Sequence, residues 1–374
     1  MAKKIIILGL FLINFVSLSF IVWGNWKIGQ LEKARVDVKR EKKNYLGVKN
    51  QRQLTENIRL EFPQINLEQI FDREASQASN LIYEETITLL AVGDVMLGRS
   101  VNTKSVSMDN FNWPFEKTIG VLSQADLTFV NLESPLLEGC PITNEGLKLC
   151  GGSRQVEGLI NSGVDLVNLA NNHIGDFGSQ GIESSRNLLN QFGLGVVGLS
   201  GPIYRQVKGS TFAFLGYNLI YPNLPEVSWA ERERVITQIK KAKELADLIV
   251  VSFHWGEEYT EIPNEEQIEL AHLVINSGAD LVIGHHPHWV QPIEVYQGKL
   301  IIYSLGNFIF DQVWSEKTKE GLVARFIFWE NQLVSFEPFP VKMKSLGQPE
   351  FLLGEEKERA LRNLSEASYQ LIKP

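Results

Sequence analysis

Histidine is rare in this chain, and its placement along the sequence gives the first indication of chemistry. Five of the six histidines follow short apolar runs, and three of these stand within four residues, at His285, His286 and His288. His173 and His254 each follow another apolar run. Neutral imidazole, together with carboxylate and amide oxygen, is a ligand set that suits Zn, Mn, Fe or Ni. The histidine spacing therefore indicates a site for divalent metal ions.

Carboxylate and amide side chains stand at the ends of the apolar runs as well. They are Asp94, Asn131, Glu133, Asn171 and Asn172. In open α/β sheets, ligands bind at the carboxyl ends of the strands. If the runs are strands of such a sheet, these side chains and the histidines converge on one edge of it.

Each of these residues also has an ordinary structural interpretation. Asp94 is of a type that forms turns and caps helices, as are Asn131 and Glu133. The pair Asn172-His173 suits a polar loop, and His254 suits a half-buried core histidine. Their joint position at strand ends favours the metal site, because independent accidents would not all fall there. The sixth histidine, at position 272, lies inside a predicted helix and is interpreted as structural.

The elements that must position these residues alternate between strands and helices. The predicted strands are Ile87–Val92, Leu127–Leu132, Leu166–Ala170, Thr211–Tyr217, Leu248–Phe253 and Leu281–Ile283. The predicted helices are Ser179–Phe192, Ser228–Ala246 and Glu265–Ser277. Such alternation predicts an α/β fold with a mainly parallel sheet. Leu322–Trp329 and Leu333–Pro338 predict a terminal hairpin, so the main domain covers residues 86–345, and residues 346–374 form a charged, partly helical tail.

The N-terminus predicts a membrane anchor over residues 1–26. Ile5–Gly24 contains 20 residues and no charge, which is long enough as a helix to cross the hydrocarbon layer. Trp23 and Trp26 stand where interfacial aromatic residues are typical. A cleaved signal peptide is the alternative, but no small-x-small cleavage site follows the run. Residues 27–85 are polar and predict a helical stalk and linker.

Charge is distributed unevenly along the 374 residues. Residues 1–53 carry 11 Lys/Arg against 3 Asp/Glu, and the rest carries 25 against 41. A globular part with this excess of acidic residues argues against nucleic acid as a partner, because affinity for nucleic acid comes largely from Lys and Arg side chains that neutralise phosphates. The basic residues after the apolar run, counted by themselves, would place the globular part in the cytoplasm.

Cys140 and Cys150 allow either a disulfide in an oxidised compartment or two free thiols.

Six motifs in order resemble the CapA family of poly-γ-glutamate capsule synthesis proteins, over about residues 87–311. They are Ala91-Val-Gly-Asp-Val-Met-Leu-Gly98, Val130-Asn-Leu-Glu-Ser-Pro135, Leu169-Ala-Asn-Asn-His173, Ser252-Phe-His-Trp-Gly256, Gly284-His-His-Pro-His288 and Tyr303-Ser-Leu-Gly-Asn-Phe308. The resemblance implies the fold of calcineurin-like metallophosphatases, a four-layer α/β/β/α sandwich with a dinuclear metal site. It also implies an extracytoplasmic domain on a single-pass anchor in the cell membrane, which we follow over the charge count.

The resemblance also implies roles for single residues. The metal ligands it implies are Asp94, Glu133, Asn172, His254, His285 and His288, with His286 as the substitute if the register differs by one. His173, next to Asn172, would protonate the leaving oxygen. Arg99 and Asn131 would lie near the substrate.

The chain departs from the metallophosphatases proper at some of these positions. Asp94-Val95-Met96 stands where those enzymes have Asp-x-His, so one usual ligand is absent. Two functions follow as alternatives. The first is a metal-dependent phosphoesterase, with two Mn, Zn or Fe ions, acting on a phosphorylated cell-surface precursor. The second is a non-catalytic factor that binds, exports or anchors an anionic polymer together with other capsule-synthesis membrane proteins. Hydrolysis of amide bonds at the same site is a third interpretation.

Overall fold

Two β-sheets lie at the centre of the computed structural model, which describes residues 65–71, 86–222 and 224–372. The predicted membrane span Ile5–Gly24 and the stalk up to residue 64 lie outside the described residues. Within the described ranges, no helix is both long enough and apolar enough to cross a membrane.

The first sheet has eight strands and is mixed. In chain order its strands are β1 (Ile87–Val95), β2 (Leu127–Leu132), β5 (Leu166–Asn168), β6 (Gly195–Val197), β13 (Asn307–Ile309), β14 (Glu320–Trp329), β15 (Gln332–Ser345) and β16 (Gln348–Phe351). Their order across the sheet is β16-β15-β14-β1-β2-β5-β6, with β13 paired to the end of β1. The strands from β1 to β6 are parallel, whereas β14 to β16 are antiparallel.

The second sheet has six strands. They are β7 (Ile203–Val207), β8 (Ser210–Asn218), β9 (Leu248–His254), β10 (Leu281–His285), β11 (Ile293–Tyr296) and β12 (Lys299–Ile302), in the order β11-β12-β10-β9-β8-β7. Its four central strands are parallel, and the two edge strands are antiparallel. A separate short pair joins β3 (Leu136–Leu137) to β4 (Gly151–Gly152).

Helices connect the strands and cover the sheets. They are α1 (Leu67–Phe71), α2 (Arg99–Ser107), α3 (Ile119–Leu122), α4 (Val156–Asn161), α5 (Gly178–Gln191), α6 (Arg232–Ala242), α7 (Glu265–Ser277) and α8 (Gly354–Leu371). Short 3₁₀ turns lie at Trp113–Phe115, Ser153–Gln155 and Lys317–Lys319. The predicted bounds of α7 match the structure, because Asn264 and Gln267 form a capping box at its start and Gly278 ends it at φ 115°.

The alternation of apolar residues along the strands divides the core into layers. Leu89 of β1 and Phe214 of β8 belong to a cluster between the two sheets. Leu90 of β1 faces the other way, into a cluster with Ile182 of α5. On the outer side of the second sheet, Ile239 of α6 lies in the third cluster, together with residues of α7. The result is a helix, sheet, sheet, helix sandwich built from mixed sheets.

Strand ends and the C-terminal residues differ from the sequence-based expectation in detail. β1 continues through a register shift to Val95, so Asp94 lies within the strand and not after it. The predicted hairpin is present, with its turn at Glu330 and Asn331, both at positive φ. Beyond it, β16 extends the first sheet, and α8 packs against β15 and β11.

Candidate metal centre

The predicted ligand residues meet where the parallel strands of both sheets end. In the first sheet, Asp94 is the register partner of Asn131 on β2 and of Asn307 on β13. In the second sheet, His254 of β9 is the register partner of His285 at the end of β10. Neighbouring parallel strands therefore present these side chains at the same level, as the convergence argument from the sequence requires.

Asp94 is the hub of the site and is fully buried. Its Oδ1 lies 3.0 Å from Asn131 Nδ2 and 3.0 Å from His285 Nδ1. Its Oδ2 lies 3.1 Å from His288 Nδ1 and accepts the backbone N–H of His286 at 3.2 Å. Burial by itself would raise the pKa of Asp94, but the hydrogen bonds and charges of His285 and His288 hold that pKa well below its usual value. Asp94 is therefore a carboxylate.

A first group of ligand atoms comes from Asp94, Glu133 and His254, which lie within 4.8 Å of one another. The amide Nδ2 of Asn131 stands among them, 3.0 Å from Asp94 Oδ1, 3.2 Å from Glu133 Oε1 and 3.4 Å from His254 Nδ1. An amide carries two N–H donors, so it cannot satisfy three acceptors. The buried Glu133 Oε2 has no hydrogen-bond partner among the described residues. Acceptors exceed donors here, and a cation would correct the imbalance.

A second group, Glu258, His286 and His288, also places its ligand atoms within 4.8 Å of one another. Nδ1 of His288 is 2.9 Å from Asn307 Oδ1, which fixes the ring and leaves Nε2 for the group. This Nε2 lies 3.9 Å from Glu258 Oε1 and 4.0 Å from Glu133 Oε2, so the two groups adjoin at His288. Nδ1 of His286 is buried without a hydrogen-bond partner in the described part of the chain.

Burial sets the protonation of the site. It raises the pKa of Glu133, with the charge of Asp94 adding to the effect. It lowers the pKa of His254, and it lowers that of His286 to about 3, in each case with a neighbouring histidine adding to the effect. Neutral imidazole is the form that binds a metal. The ion-pair partners found for Asp94 and Glu133 among the described residues are all histidines, so the buried carboxylates lack a permanent positive charge. Divalent cations would supply that charge.

The backbone at the site is strained. His286 has φ 96° and His288 has φ 58°, and Tyr259, next to Glu258, has φ 62°. Left-handed conformations are uncommon outside glycine and persist only where the surrounding structure enforces them. The backbone N–H of Tyr259 donates to the carbonyl of Pro287 at 2.8 Å, which joins the two strained segments. This contact places the loop that carries Glu258 beside the two histidines.

Comparison with known proteins identifies the family. Residues 88–312 match the family described as "Bacterial capsule synthesis protein PGA_cap". The chain belongs to this family. The PGA biosynthesis protein CapA of Bacillus subtilis is 32% identical over 294 residues, which are 71% of this chain and 76% of that protein. The capsule biosynthesis protein CapA of Bacillus anthracis is 29% identical over 303 residues, which cover 75% and 73% of the two chains.

Among solved structures, a phosphatase from Mycoplasma pneumoniae is similar, with a TM-score of 0.47 and 16% identity. The similarity covers 69% of this chain and 94% of that one.

The other predicted site residues of this capsule synthesis family member lie around the two groups. Asn172 Oδ1 is 2.9 Å from His254 Nε2, at the first group. His173 is close enough to the second group to be among the charges that lower the pKa of His286. His285 contacts Asp94 through Nδ1 and belongs to neither group. His286 belongs to the second group. Arg99 pairs with Asp311 and donates to the Gly146 carbonyl at 3.2 Å.

Sequence reasoning missed Glu258 and Asn307. Asn307 stands in one of the six family motifs, which was a usable signal, although its residue type alone does not distinguish a ring-orienting role. Glu258 lies in a loop among other acidic residues, four positions after His254, and no periodicity points to it. Its place depends on the contact between Tyr259 and Pro287, which only the folded chain shows.

Proposed function

We propose that this protein is a membrane-anchored, metal-dependent phosphoesterase of poly-γ-glutamate capsule synthesis, acting on a phosphorylated cell-surface precursor. The observation that carries the proposal is the pair of adjoining ligand groups, three ligand atoms each, in which buried atoms of Glu133 and His286 have no hydrogen-bond partner among the described residues. The names of the two CapA relatives support the pathway.

The residues present fit two divalent ions: Asp94, Glu133 and His254 would hold one, and Glu258, His286 and His288 would hold the other. Such ions, when bound, polarise a phosphoryl oxygen and lower the pKa of a bound water. The protein's own residues orient these ligands and keep most of the site dry, since five of the six ligand side chains are buried.

His173 is proposed as the acid that protonates the leaving oxygen. Its ring is partly exposed and lies beside Asn172 at the edge of the site, where a leaving group can depart toward solvent. Nδ1 lies 3.0 Å from Asp176 Oδ2, so Nε2 is the atom left to give a proton. Because Arg99 is engaged by Asp311, the charge of a phosphate would be met mainly by the metals.

The proposal places the domain outside the cytoplasm on the anchor of residues 5–24. Cys140 and Cys150 are joined in a disulfide, and such bonds persist in oxidising compartments. Flanking charge is a weak counter-argument, because long domains translocate largely regardless of it. Other membrane proteins of capsule synthesis are the proposed partners.

The test is hydrolysis of an aryl phosphate by the full chain in detergent, with Mn²⁺, Zn²⁺ or Fe²⁺ added. We expect metal-dependent turnover that is lost in His286→Ala. His272→Ala is the matched control, because His272 pairs with Glu294 on the outer side of the second sheet and should leave turnover unchanged. Equal turnover in wild type and His286→Ala would refute the proposal.

One observation favours the alternative, a non-catalytic factor that uses the metals to hold an anionic polymer. Met96 occupies the place of a usual histidine ligand, is fully buried in the apolar core, and accepts the Gly98 N–H through sulfur. The centre therefore has fewer ligands than a complete metallophosphatase site. Two bound metals per chain, without turnover of any phosphate ester, would support this alternative.

A further inference from the structure

The loop between β3 and β4 contacts the edge of the site where His173 lies, through the acidic residue Asp176. The loop begins after Leu137 of β3 and ends at Gly151 of β4, and these two short strands pair with each other. Its ends are also joined by the disulfide between Cys140 and Cys150. The loop is therefore closed twice at its base, by backbone pairing and by a covalent bond.

The last part of this loop is held tightly against the segment that joins the strand carrying Asp94 to α2. A side chain at Gly98 would come within 2.6 Å of the carbonyl oxygen of Cys150, so the two backbones are in close contact. Gly151 donates its N–H to the Pro135 carbonyl at 2.9 Å. Leu149, directly before these contacts, is buried. Its backbone N–H therefore has a fixed position.

That N–H points to the acidic partner of His173. Leu149 N–H donates to Asp176 Oδ2 at 2.7 Å, and the same oxygen is 3.0 Å from His173 Nδ1. Asp176 also closes a turn by donating its own N–H to the His173 carbonyl at 3.1 Å. One carboxylate oxygen thus connects the fixed amide of the loop with the ring of the proposed acid.

We propose that Asp176 is a positioning residue, held by the Leu149 amide of the disulfide-closed loop, which fixes the ring plane and tautomer of His173. The inference rests on the proposed function. With Nδ1–H donated to Asp176, Nε2 faces the leaving group; without the carboxylate, the ring is free to rotate and either nitrogen can carry the proton. Asp176 is the link between the loop and His173.

The kinetic test compares two esters on the full, metal-loaded chain. Phenyl phosphate has a poor leaving group that needs a proton, whereas 4-nitrophenyl phosphate has a good one. In Asp176→Ala we expect kcat for phenyl phosphate to fall roughly tenfold to a hundredfold, which is part of the roughly 10²–10⁴-fold that general acid catalysis contributes. We expect a much smaller fall for the nitrophenyl ester, with KM and bound metal unchanged. Cys140→Ser/Cys150→Ser should shift the ratio of the two rates in the same direction.

Two further variants make the test specific. Asp247→Ala is the matched control, because Asp247 Oδ2 likewise accepts a backbone N–H, from Thr211 at 2.8 Å, away from the site; neither rate should change. Asp176→Asn keeps the shape of the side chain and guards against misfolding of the alanine variant. An equal fall for both esters would overturn the proposal, because general damage to the site does not depend on the leaving group.

A measurement without turnover separates this inference from the proposed function. The ring nitrogens of His173 in the Zn²⁺-loaded, ¹⁵N-labelled chain, assigned with His173→Gln, should show a protonated Nδ1 in wild type. Asp176→Ala and the double serine variant should shift these signals toward a mixture of tautomers. If wild type hydrolyses neither ester, hydrolysis is refuted, and the tautomer result still decides the positioning. Unchanged signals in both variants would overturn it.

Discussion

Glu258 is the most exposed of the six ligand side chains, at 40%, and it completes the second group. Without it, His286 and His288 would offer two imidazoles and no carboxylate. We expect Glu258→Gln to weaken the second metal by at least about tenfold while the first stays bound. Titration calorimetry and metal analysis of the full chain measure this. Glu257→Gln is the control, since Glu257 is exposed on the same loop and belongs to neither group; an equal loss there would remove Glu258 from the centre.

Asn131 gives a second prediction, because its amide stands among the acceptors of the first group. Asn131→Asp replaces a donor by a third buried carboxylate. We expect the metal-free protein to lose about 3–5 kcal/mol of stability, the cost of an uncompensated buried charge. Divalent metal should restore much of that stability, because the new carboxylate is a ligand. Thermal unfolding with and without Zn²⁺ measures both effects.

Asn168→Asp is the matched control for Asn131→Asp. Asn168 is equally buried, and in the described part of the chain its side chain bonds to Asn131 Oδ1 and the Ala170 backbone and not to a ligand atom. It should destabilise the protein without rescue by metal. Equal rescue in both variants would contradict a metal site at the first group.

The histidine-rich segment shows what sequence can and cannot decide about a residue. Clustering of His285, His286 and His288 indicates a metal site; His286 and His288 belong to the second group, and His285 contacts Asp94 of the first. Which two join the second group depends on the path of the chain after β10. There the left-handed conformations at His286 and His288 turn Nδ1 of His286 away from any described partner. The periodicity of a sequence carries no information on such a backbone, so the sequence could not decide whether His285 or His286 is the ligand.

At the scale of elements, sequence predicted the long buried strands and the short strand β5, but it missed several other short strands. The central strands β1, β2, β8, β9 and β10 read as continuous apolar runs because both of their faces are covered. The three-residue strands β6 and β13 and the edge strand β7 have no such pattern, since their pairing depends on neighbours far away in the chain. The site could therefore be located, but not its supporting strand β13.

Close packing between β10 and the segment after β12 gives a prediction at this scale. A side chain on Gly284 would come within 1.9 Å of the Tyr303 carbonyl oxygen, so β10 would have to move, and His285 with it. We expect Gly284→Ala to cost about 3 kcal/mol of stability, at the upper end for an overpacked core, and to weaken metal binding. Urea unfolding measures the first effect, and metal titration the second.

Gly120→Ala is the control for Gly284→Ala. Gly120 lies in α3 with nothing within 4 Å of an added side chain. Alanine is favoured over glycine in a helix, so stability should be unchanged or slightly higher. A neutral effect of Gly284→Ala would show that β10 has more room than the structure gives it.

At the scale of the whole molecule, net charge affects how an anionic substrate can approach the domain. The residues after position 53 carry 25 Lys/Arg against 41 Asp/Glu, so extended contact with a polyanion is unfavourable except where metal supplies positive charge. The proposed anionic substrate therefore has one favourable point of approach. This agrees with a site that recognises a single phosphate more readily than a long stretch of polymer.

Membrane orientation is the last prediction. A cysteine placed at Leu147, whose side chain is 90% exposed, in a Cys140→Ser/Cys150→Ser background would be the single thiol of the chain. If the domain lies outside the cytoplasm, a membrane-impermeant maleimide added to spheroplasts should label this thiol before lysis. Ala2→Cys in the same background lies on the other side of the proposed span, so it should be labelled only after lysis. The reverse pattern would place the domain in the cytoplasm, where the basic residues after the span would then have set the orientation.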